Sequence, residues 1–479
     1  MDKEKKLTAL FNKWSDEKAD YFSGLLPSGS AREYYRIKSK KTSAIGVYNP
    51  DKKENTAFIN FSRHFLSRDL NVPEIYNVDL GNNIYLIQDL GDTTLFSLLN
   101  EIRKDDYFPQ ELIFNYKRVI DQLPQFQVTA GKDLDYSVCY PRPAFDKQSM
   151  LWDLNYFKYY FLKLAKVPFD EQHLEDDFLQ LCNFLLQAES NFFLYRDFQS
   201  RNVLIYKGEH YFIDYQGGRK GALQYDLASL LYDAKADIPQ QVREELLNYY
   251  IEAINKIMPV DKKEFIKFFY GFVLIRILQA MGAYGYRGFY ERKEHFLQSI
   301  PYSLKNLNWI LGNISLPVKL PILLTVLKTM VESDELKKYK KNKNTNLLTV
   351  TINSFSYFNG IPEDETGNGG GFVFDCRGIN NPGRHEQFRY LTGKDKEVAE
   401  FLKTQSEVGK FLNDVYSLVD RTIDNYQERM FVNLMVSFGC TGGQHRSVYC
   451  AEQLANHLKE KYNIKVKVNH KELNLEEEK

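Results

Sequence analysis

The chain has 479 residues, of which 43% are hydrophobic and 26% charged, with 63 basic and 63 acidic side chains. That length exceeds what one hydrophobic core usually serves, so two or three domains are expected. A net charge of zero excludes a global field that would draw the chain to nucleic acid or anionic lipid.

In chain order, Met1 to Lys13 is charged and carries no apolar signal stretch. Residues 20–90 read as a β-rich lobe. Leu26 to Ser30 is a turn, and Glu33 to Lys38, Ala44 to Tyr48 and Ile84 to Asp89 are strands. Glu54 to Leu66 has helical spacing at Ala57, Phe58, Phe61 and Phe65. Strand, strand, helix, strand is the order of a kinase small lobe, and Asp89-Leu90-Gly91-Asp92 falls where a hinge would join the lobes. Thr94 to Leu311 is mainly helical, with a short β interruption between Asp197 and Asp214. Its longest apolar stretch, Phe268 to Tyr286, is broken by Arg276 and reads as a buried helix, not a membrane span.

Ser333 to Asn346 is rich in Lys and Asn and reads as a linker. Beyond it, Leu347 to Phe355, Gly371 to Cys376 and Phe431 to Gly439 are apolar runs of strand length. Glu397 to Met430 and Ser447 to Lys461 are helical. This half is an α/β domain with a parallel or mixed sheet. The expected fold class is α+β: a bilobal, protein kinase-like domain over 1–330 (small lobe about 1–90, large lobe about 91–330), a linker over 331–345, and a smaller α/β domain over 346–479. Five cysteines without a CxxC pair suggest a reduced, cytoplasmic protein.

The most informative segment is Tyr195-Arg196-Asp197-Phe198-Gln199-Ser200-Arg201-Asn202, followed on the next strand by Ile213-Asp214-Tyr215-Gln216. An Asp, an Asn five residues later and a second Asp on the next strand form a phosphoryl-transfer constellation. The first Asp accepts the proton of the attacking hydroxyl, and the Asn and second Asp hold the magnesium ions that bridge the ATP phosphates. Asp197 is thus the candidate base, and Asn202 and Asp214 the candidate metal ligands, with ATP and Mg2+ as cofactors. Arg196 or Arg201 could neutralise transferring phosphate. Asp226 could brace the loop or cap a helix.

At these residues the chain resembles the aminoglycoside phosphotransferase (choline kinase-like) family, and within it the N-acetylmuramate/N-acetylglucosamine anomeric kinases. Ser28 to Arg36, Leu86 to Asp92, the Tyr195–Asn202 loop and Ile213 to Gly218 carry the resemblance. It implies ATP-dependent phosphorylation of the C1 hydroxyl of an amino sugar. The expected ATP contacts are Ser28, Gly29, Ser30, Arg36, Gln88, Asp89 and Leu90. Two positions depart from the family. Tyr195 stands where His is usual, and the strand Ala44-Ile45-Gly46-Val47-Tyr48 lacks the lysine that normally meets the α- and β-phosphates. Arg36 or Lys38 could replace it, with Glu54 as the partner.

A second constellation, Gly439-Cys440-Thr441-Gly442-Gly443-Gln444-His445-Arg446-Ser447, lies between a strand and a helix. A Gly-rich loop, a helix N-terminus and an Arg each favour an anion. Three readings remain open: phosphate or sugar-phosphate binding, cysteine-dependent phosphatase chemistry, and a plain tight turn. Asp375 and Arg377 could join the same pocket, and His385 and His445 are further candidates. Residues from about Asn346 to Leu475 resemble the C-terminal domain of the RNase adapter protein RapZ, through Ser354 to Tyr357, Phe374 to Arg377, Asn381-Pro382, Leu391 to Asp395 and Gly439 to Ala455. This resemblance implies an amino-sugar phosphate at Cys440 to Ser447. The nucleotide domain that precedes the module in that family is absent. From Thr345 onward there are 16 Lys and Arg against 19 Asp and Glu, which argues against RNA.

The combined expectation is a sugar kinase of cell-wall recycling fused to a sugar-phosphate sensor, with a small-molecule amino sugar as partner, room for a protein partner, and no membrane. The alternatives are a regulatory protein with a scaffold kinase lobe, and a kinase of another small molecule such as an aminoglycoside or choline.

Overall fold

The β-rich start of the chain folds into a five-stranded antiparallel sheet made of β1 (Tyr21–Gly24), β2 (Glu33–Lys38), β3 (Ser43–Tyr48), β4 (Ile75–Asp79) and β5 (Ile84–Gln88). The spatial order is β1-β2-β3-β5-β4. The structure, a computed structural model, describes residues 2–25, 32–103, 107–339, 348–364, 366, 370–428 and 431–478. Ser28, Gly29 and Ser30 therefore lie outside the described residues. Two helices flank the sheet. On one face α1 (Asp2–Ser15), absent from the sequence reading, packs Leu7 and Phe11 against Ile37, Ala44, Ile84 and Leu86. On the other, α2 (Lys52–Leu66) buries Ala57, Phe58, Phe61 and Phe65. Asp51 starts α2 by accepting the N–H groups of Lys53 and Glu54, which fixes Glu54 in the first turn.

Helices dominate the large lobe: α3 (Leu95–Ile102), α4 (Gln110–Pro124), α5 (Lys147–Phe157), α6 (Glu171–Leu185), α7 (Gln224–Leu231), α8 (Gln240–Asn255), α9 (Lys262–Tyr284), α10 (Glu294–Leu297), α11 (Ile300–Asn313), α12 (Pro321–Glu332) and α13 (Asp334–Lys337). Two small two-stranded antiparallel sheets flank the candidate catalytic segments: β6 (Phe192–Leu194) with β9 (Arg219–Gly221), and the hairpin of β7 (Val203–Tyr206) with β8 (Glu209–Phe212). Helix α9 and its continuation to Tyr290 form the one element, among the described residues, long and apolar enough to cross a membrane; most of it is buried in the lobe. The expected linker starts too early. Position 331 lies inside α12, and Leu336 of α13 is 3% exposed and packed in the core, so the first compact unit runs through Lys340.

The second unit, Lys341–Lys479, is built on β10 (Thr349–Ser356), β11 (Phe372–Asp375), β12 (Asn433–Cys440), β13 (Lys465–His470) and β14 (Leu475–Glu478). Their order is β11-β12-β10-β13-β14, parallel except for β14. The helical stretch expected over 397–430 is interrupted: α14 (Lys396–Gln405) ends where Ser406 turns to extended backbone, φ −148°, and α15 (Val408–Glu428) follows. The last helix is α16 (Arg446–Lys461). β14 pairs along β13, which carries Lys465 and Lys467, and sets Glu478 opposite Lys467 in register.

Candidate functional site

The catalytic loop follows β6 and is held by one buried carboxylate. Asp226, in the first turn of α7, accepts the backbone N–H groups of Tyr195 (2.8 Å) and Arg196 (2.9 Å) and the side-chain amide of Gln127 (3.1 Å). It braces the loop and is not the α7 N-cap, which is Leu223. Arg196 takes a left-handed backbone with φ 84°, a conformation that costs a non-glycine residue about 1–3 kcal/mol. Its guanidinium forks onto Asp153 of α5 (2.6 and 2.8 Å) and donates to the Tyr225 hydroxyl. Arg196 is therefore a structural tie and does not reach for phosphate. Burial raises the Asp226 carboxyl to about 7, opposed by the N–H groups it accepts and reinforced by nearby Asp197.

Tyr195, in the usual histidine position, is fully buried, and its hydroxyl donates to the Ile213 carbonyl (2.6 Å). This bond ties the base-bearing loop to the segment carrying Asp214. Asn202 donates to the Asp197 backbone carbonyl (2.8 Å) and lies 3.4 Å from the Asp214 carboxylate. Gln216 donates to the other Asp214 oxygen (2.7 Å). Asp214 also has a left-handed backbone, φ 69°. Burial, and then the neighbouring Asp197 charge, raise its pKa. A carboxylate and an amide oxygen form the hard, sparse donor set that suits magnesium, whose remaining ligands come from phosphate and water. The residues present thus fit the ion.

Above these residues a cleft of about 480 Å³ opens between the lobes. Its apolar walls include Ile45, Ile87, Leu204 and Ile213, and Arg36, Gln88 and Leu90 of the expected ATP contacts also line it. Asp89 does not. Its carboxylate turns back to accept from Ser43 and from the Arg36 guanidinium at 2.9 and 3.0 Å. Against the effect of burial, these bonds hold its pKa below the ordinary carboxylate value. Arg36 donates to both Asp89 and Asp92 (2.8 Å), so it clamps the hinge and cannot stand in for the missing lysine. Lys38 is exposed over the Tyr21 ring and cannot either.

Arg32 has the placement that the role requires. It precedes β2, is 4% exposed, and places its guanidinium 2.5 Å from Glu54, 3.1 Å from the Tyr34 hydroxyl and 3.8 Å from Asp214. Asn49 holds the second Glu54 oxygen (2.8 Å). A cation paired with the helix carboxylate therefore faces the metal-ligand Asp, as the lysine does in kinases. The sequence reading named Glu54 but missed Arg32. The period-two pattern Arg32-Tyr34-Arg36, with all three lining the cleft, was the available signal. It missed Arg276 of α9 as well. That guanidinium lies 3.8 Å from the Asp197 carboxylate and lines a second cavity, of about 160 Å³, beside the base. Arg201 opens onto the same cavity.

In the second unit the loops after β10, β11, β12 and β13 gather at the carboxyl ends of the parallel strands, where open α/β sheets bind ligands. Several predicted contacts turn inward instead. Cys440 is 2% exposed, and its sulfur lies 3.2 Å from the Gly443 N–H and 3.2 Å from the Ser447 hydroxyl. This burial opposes the phosphatase reading. Arg446 donates to the carbonyls of Arg377 and Ile379 (both 3.0 Å), so it braces the post-β11 turn and does not present a fork to solvent. His445 bonds the Phe388 carbonyl, and Gln444 that of Leu391. Gly443 has φ +67°, and any side chain there would strike Glu472. Thr441 and Gly442 are exposed; so are Asp375 and Arg377, which pair with each other, with Arg377 stacked 4.2 Å over the Tyr357 ring. His385 is exposed and packs on Phe388 and Phe401, not on the loop.

Residues 25–260 match the phosphotransferase enzyme family, and residues 348–474 match the RapZ C-terminal domain. A nucleotide-binding protein of Endomicrobium trichonymphae is 38% identical over 126 residues, covering 26% of this chain and 42% of that protein. A nucleotide-binding protein of Hahella chejuensis is 39% identical over 129 residues, covering 27% and 43%. The chain spans less than half the length of these curated relatives. Among solved structures, an ethanolamine kinase of Plasmodium vivax superposes with a TM-score of 0.44 at 13% identity, over 60% of this chain and 82% of that one. A choline kinase of Streptococcus pneumoniae gives 0.43 at 14%, over 64% and 99%. Both resemblances read from the sequence stand: a phosphotransferase-family domain followed by a RapZ C-terminal domain.

Two outcomes follow from this geometry. Arg32→Leu is expected to weaken nucleotide affinity at least about tenfold, since it removes charge-assisted contacts. Calorimetric titration of ATP with magnesium reads this, and unchanged affinity would remove Arg32 from the site. Asp226 has a folded pKa raised from 3.8 to about 7, so the fold binds its proton more tightly than the unfolded chain does. That contribution to stability is complete below the unfolded value and is lost as pH rises through the folded one. The Tm advantage of wild type over Asp226→Asn should therefore shrink between pH 5 and pH 8; a constant difference contradicts it.

Proposed function

We propose that this phosphotransferase-family domain, joined to a RapZ C-terminal module, is an ATP- and magnesium-dependent kinase. It acts on the anomeric hydroxyl of an amino sugar of the N-acetylmuramate/N-acetylglucosamine class, in cell-wall sugar recycling. The observation that carries the kinase reading is the convergence of Asn202, Asp214 and the Arg32–Glu54 pair at the interlobe cleft, with Asp197 joined to Asn202 through its backbone carbonyl and lining the adjoining second cavity.

In this reading the apolar slot around Ile45, Ile87 and Leu204 takes the adenine, and the Gln88–Leu90 hinge backbone addresses its edge. Arg32, fixed by Glu54, contacts the phosphates. Asn202 and Asp214 hold magnesium, which when bound neutralises charge on the transferring phosphoryl group. Asp197 accepts the proton of the acceptor hydroxyl from the second cavity, where the Arg276 guanidinium stands 3.8 Å from its carboxylate. The missing lysine favours the scaffold reading, and the Arg32–Glu54 pair facing Asp214 supports the kinase reading against it. A cationic acceptor such as choline or an aminoglycoside is disfavoured, because the second cavity balances Asp197 and Asp233 with Arg201 and Arg276 and is not an acidic cluster.

In the second unit, the exposed Thr441–Gly442 backbone and Arg377 are proposed to bind a sugar phosphate, so that the module senses an amino-sugar phosphate and regulates the kinase or recruits a protein partner. RNA is not the proposed ligand, given the acidic excess and the β14 strand laid along β13.

Asp197→Asn should lower ATP-dependent phosphorylation of N-acetylmuramate and N-acetylglucosamine by at least about 100-fold with an unchanged Tm, because it removes the general base. Undiminished ADP release in that variant would take Asp197 out of the mechanism. Glucosamine-6-phosphate titrated into the full chain should give binding heat that weakens in Arg377→Ala. No heat with wild type leaves the sensor reading without support.

A further inference from the structure

We propose that the large lobe carries a further ligand site, remote from the phosphoryl-transfer residues. It is an apolar groove that takes a single-chain anionic amphiphile, with the chain along its walls and a carboxylate at a rim of two lysines. The site stands whether or not the kinase reading does.

The groove holds about 690 Å³ between α9, α11, α12 and the segment joining the last two. That volume lies within the roughly 300–1,000 Å³ of small-molecule sites. Three apolar stripes meet there. Leu307, Ile310 and Leu311 stand at i, i+3 and i+4 on α11, one face of that helix. In the joining segment Ile314, Leu316 and Val318 are half-buried and line the groove, while Pro317 and Lys319 between and after them are exposed. This is the alternation of an extended chain. Helix α12 then adds Leu324 and Leu327. Its start is fixed from outside the groove, because the buried Asp177 of α6 accepts the N–H groups of Ile322 (2.7 Å) and Leu323 (2.8 Å). The wall is nevertheless left open, with Leu324 37% exposed.

The groove is distinct from the cavity beside the base. Leu274 of α9 lines the groove and Arg276 lines the other cavity. Two residues on a helix point roughly 200° apart, so the sites lie on different faces of α9.

Charge selects the occupant. Lys319 and Lys328 are the charged residues lining the groove, both exposed, and no Asp or Glu lines it. Among the described residues neither lysine pairs with a carboxylate. A lysine suits such a rim, since its stem packs on apolar surface while its head stays in water. A neutral chain gains nothing from these two cations, and a cationic head is repelled. A long-chain carboxylate satisfies both the walls and the rim.

The test is calorimetric titration of the full chain with octanoate, decanoate and decanol as monomers. Decanoate should bind saturably and at least about fourfold tighter than octanoate, since each buried methylene can contribute up to about fourfold. It should bind at least about threefold tighter than decanol, the scale of exposed ion pairs. Lys319→Gln combined with Lys328→Gln should erase the preference over decanol and keep the chain-length dependence. Leu324→Glu, on a part-exposed side chain, should weaken decanoate at least about tenfold with an unchanged Tm, because it sets a charge in the apolar wall. No saturable binding of either carboxylate, equal binding of decanoate and decanol, or affinity unchanged in both variants overturns the proposal. Sedimentation with anionic phospholipid vesicles, without binding of the free carboxylates, would assign the groove to a membrane surface and overturn it as well.

Discussion

One buried carboxylate sets the catalytic geometry. Asp226 takes two consecutive backbone N–H groups, those of Tyr195 and Arg196, and so holds Arg196 at a positive φ that a free chain would leave. With that turn fixed, Asp197 faces the second cavity and Asn202 faces Asp214. The Tyr195 hydroxyl then locks the loop to the Ile213 carbonyl, one residue before the metal-ligand carboxylate. A loop carrying two candidate polar groups, Asp197 and Asn202, is thereby attached to the hydrophobic core at its base.

The small lobe solves a different problem. Its central strand is apolar at Ile45 and Val47, and both join Phe58 and Tyr85 in the core. A cation therefore has to come from elsewhere. Arg32 enters from the start of β2 and meets Glu54 at the first turn of α2, which Asp51 positions by capping. An arginine is suited to this route because its planar fork reaches Glu54 and Tyr34 together and keeps its charge when buried. The pair matches the arrangement of the kinase lysine and helix glutamate, with the cation moved to the start of a neighbouring strand.

Much of this was legible in the residues. Strand lengths, the α2 stripe and the Asp197–Asn202–Asp214 spacing depend on local pattern, and local pattern survives folding. Asp226 was visible as a candidate brace for the same reason. Arg32 was not, because its function depends on which side of a strand faces the cleft just after a turn. Arg276 was hidden in an apolar helix, and only the packing of α9 against the catalytic loop brings it to the base. The Cys440–Ser447 loop misled in the opposite direction. Glycines, a thiol and an arginine in sequence imply an open anion cradle, yet Arg446 satisfies main-chain carbonyls and Cys440 is covered. Whether a side chain faces inward or outward at a loop is decided by long-range partners, here the turn after β11.

The central claim is phosphoryl transfer to the anomeric oxygen of an amino sugar. Phosphorus NMR of the full chain with ATP, magnesium and either N-acetylmuramate or N-acetylglucosamine tests it most directly. A sugar 1-phosphate resonance, coupled to the anomeric proton, is expected to grow in step with ADP. ADP without any sugar phosphate, or phosphate attached to another hydroxyl, would contradict it.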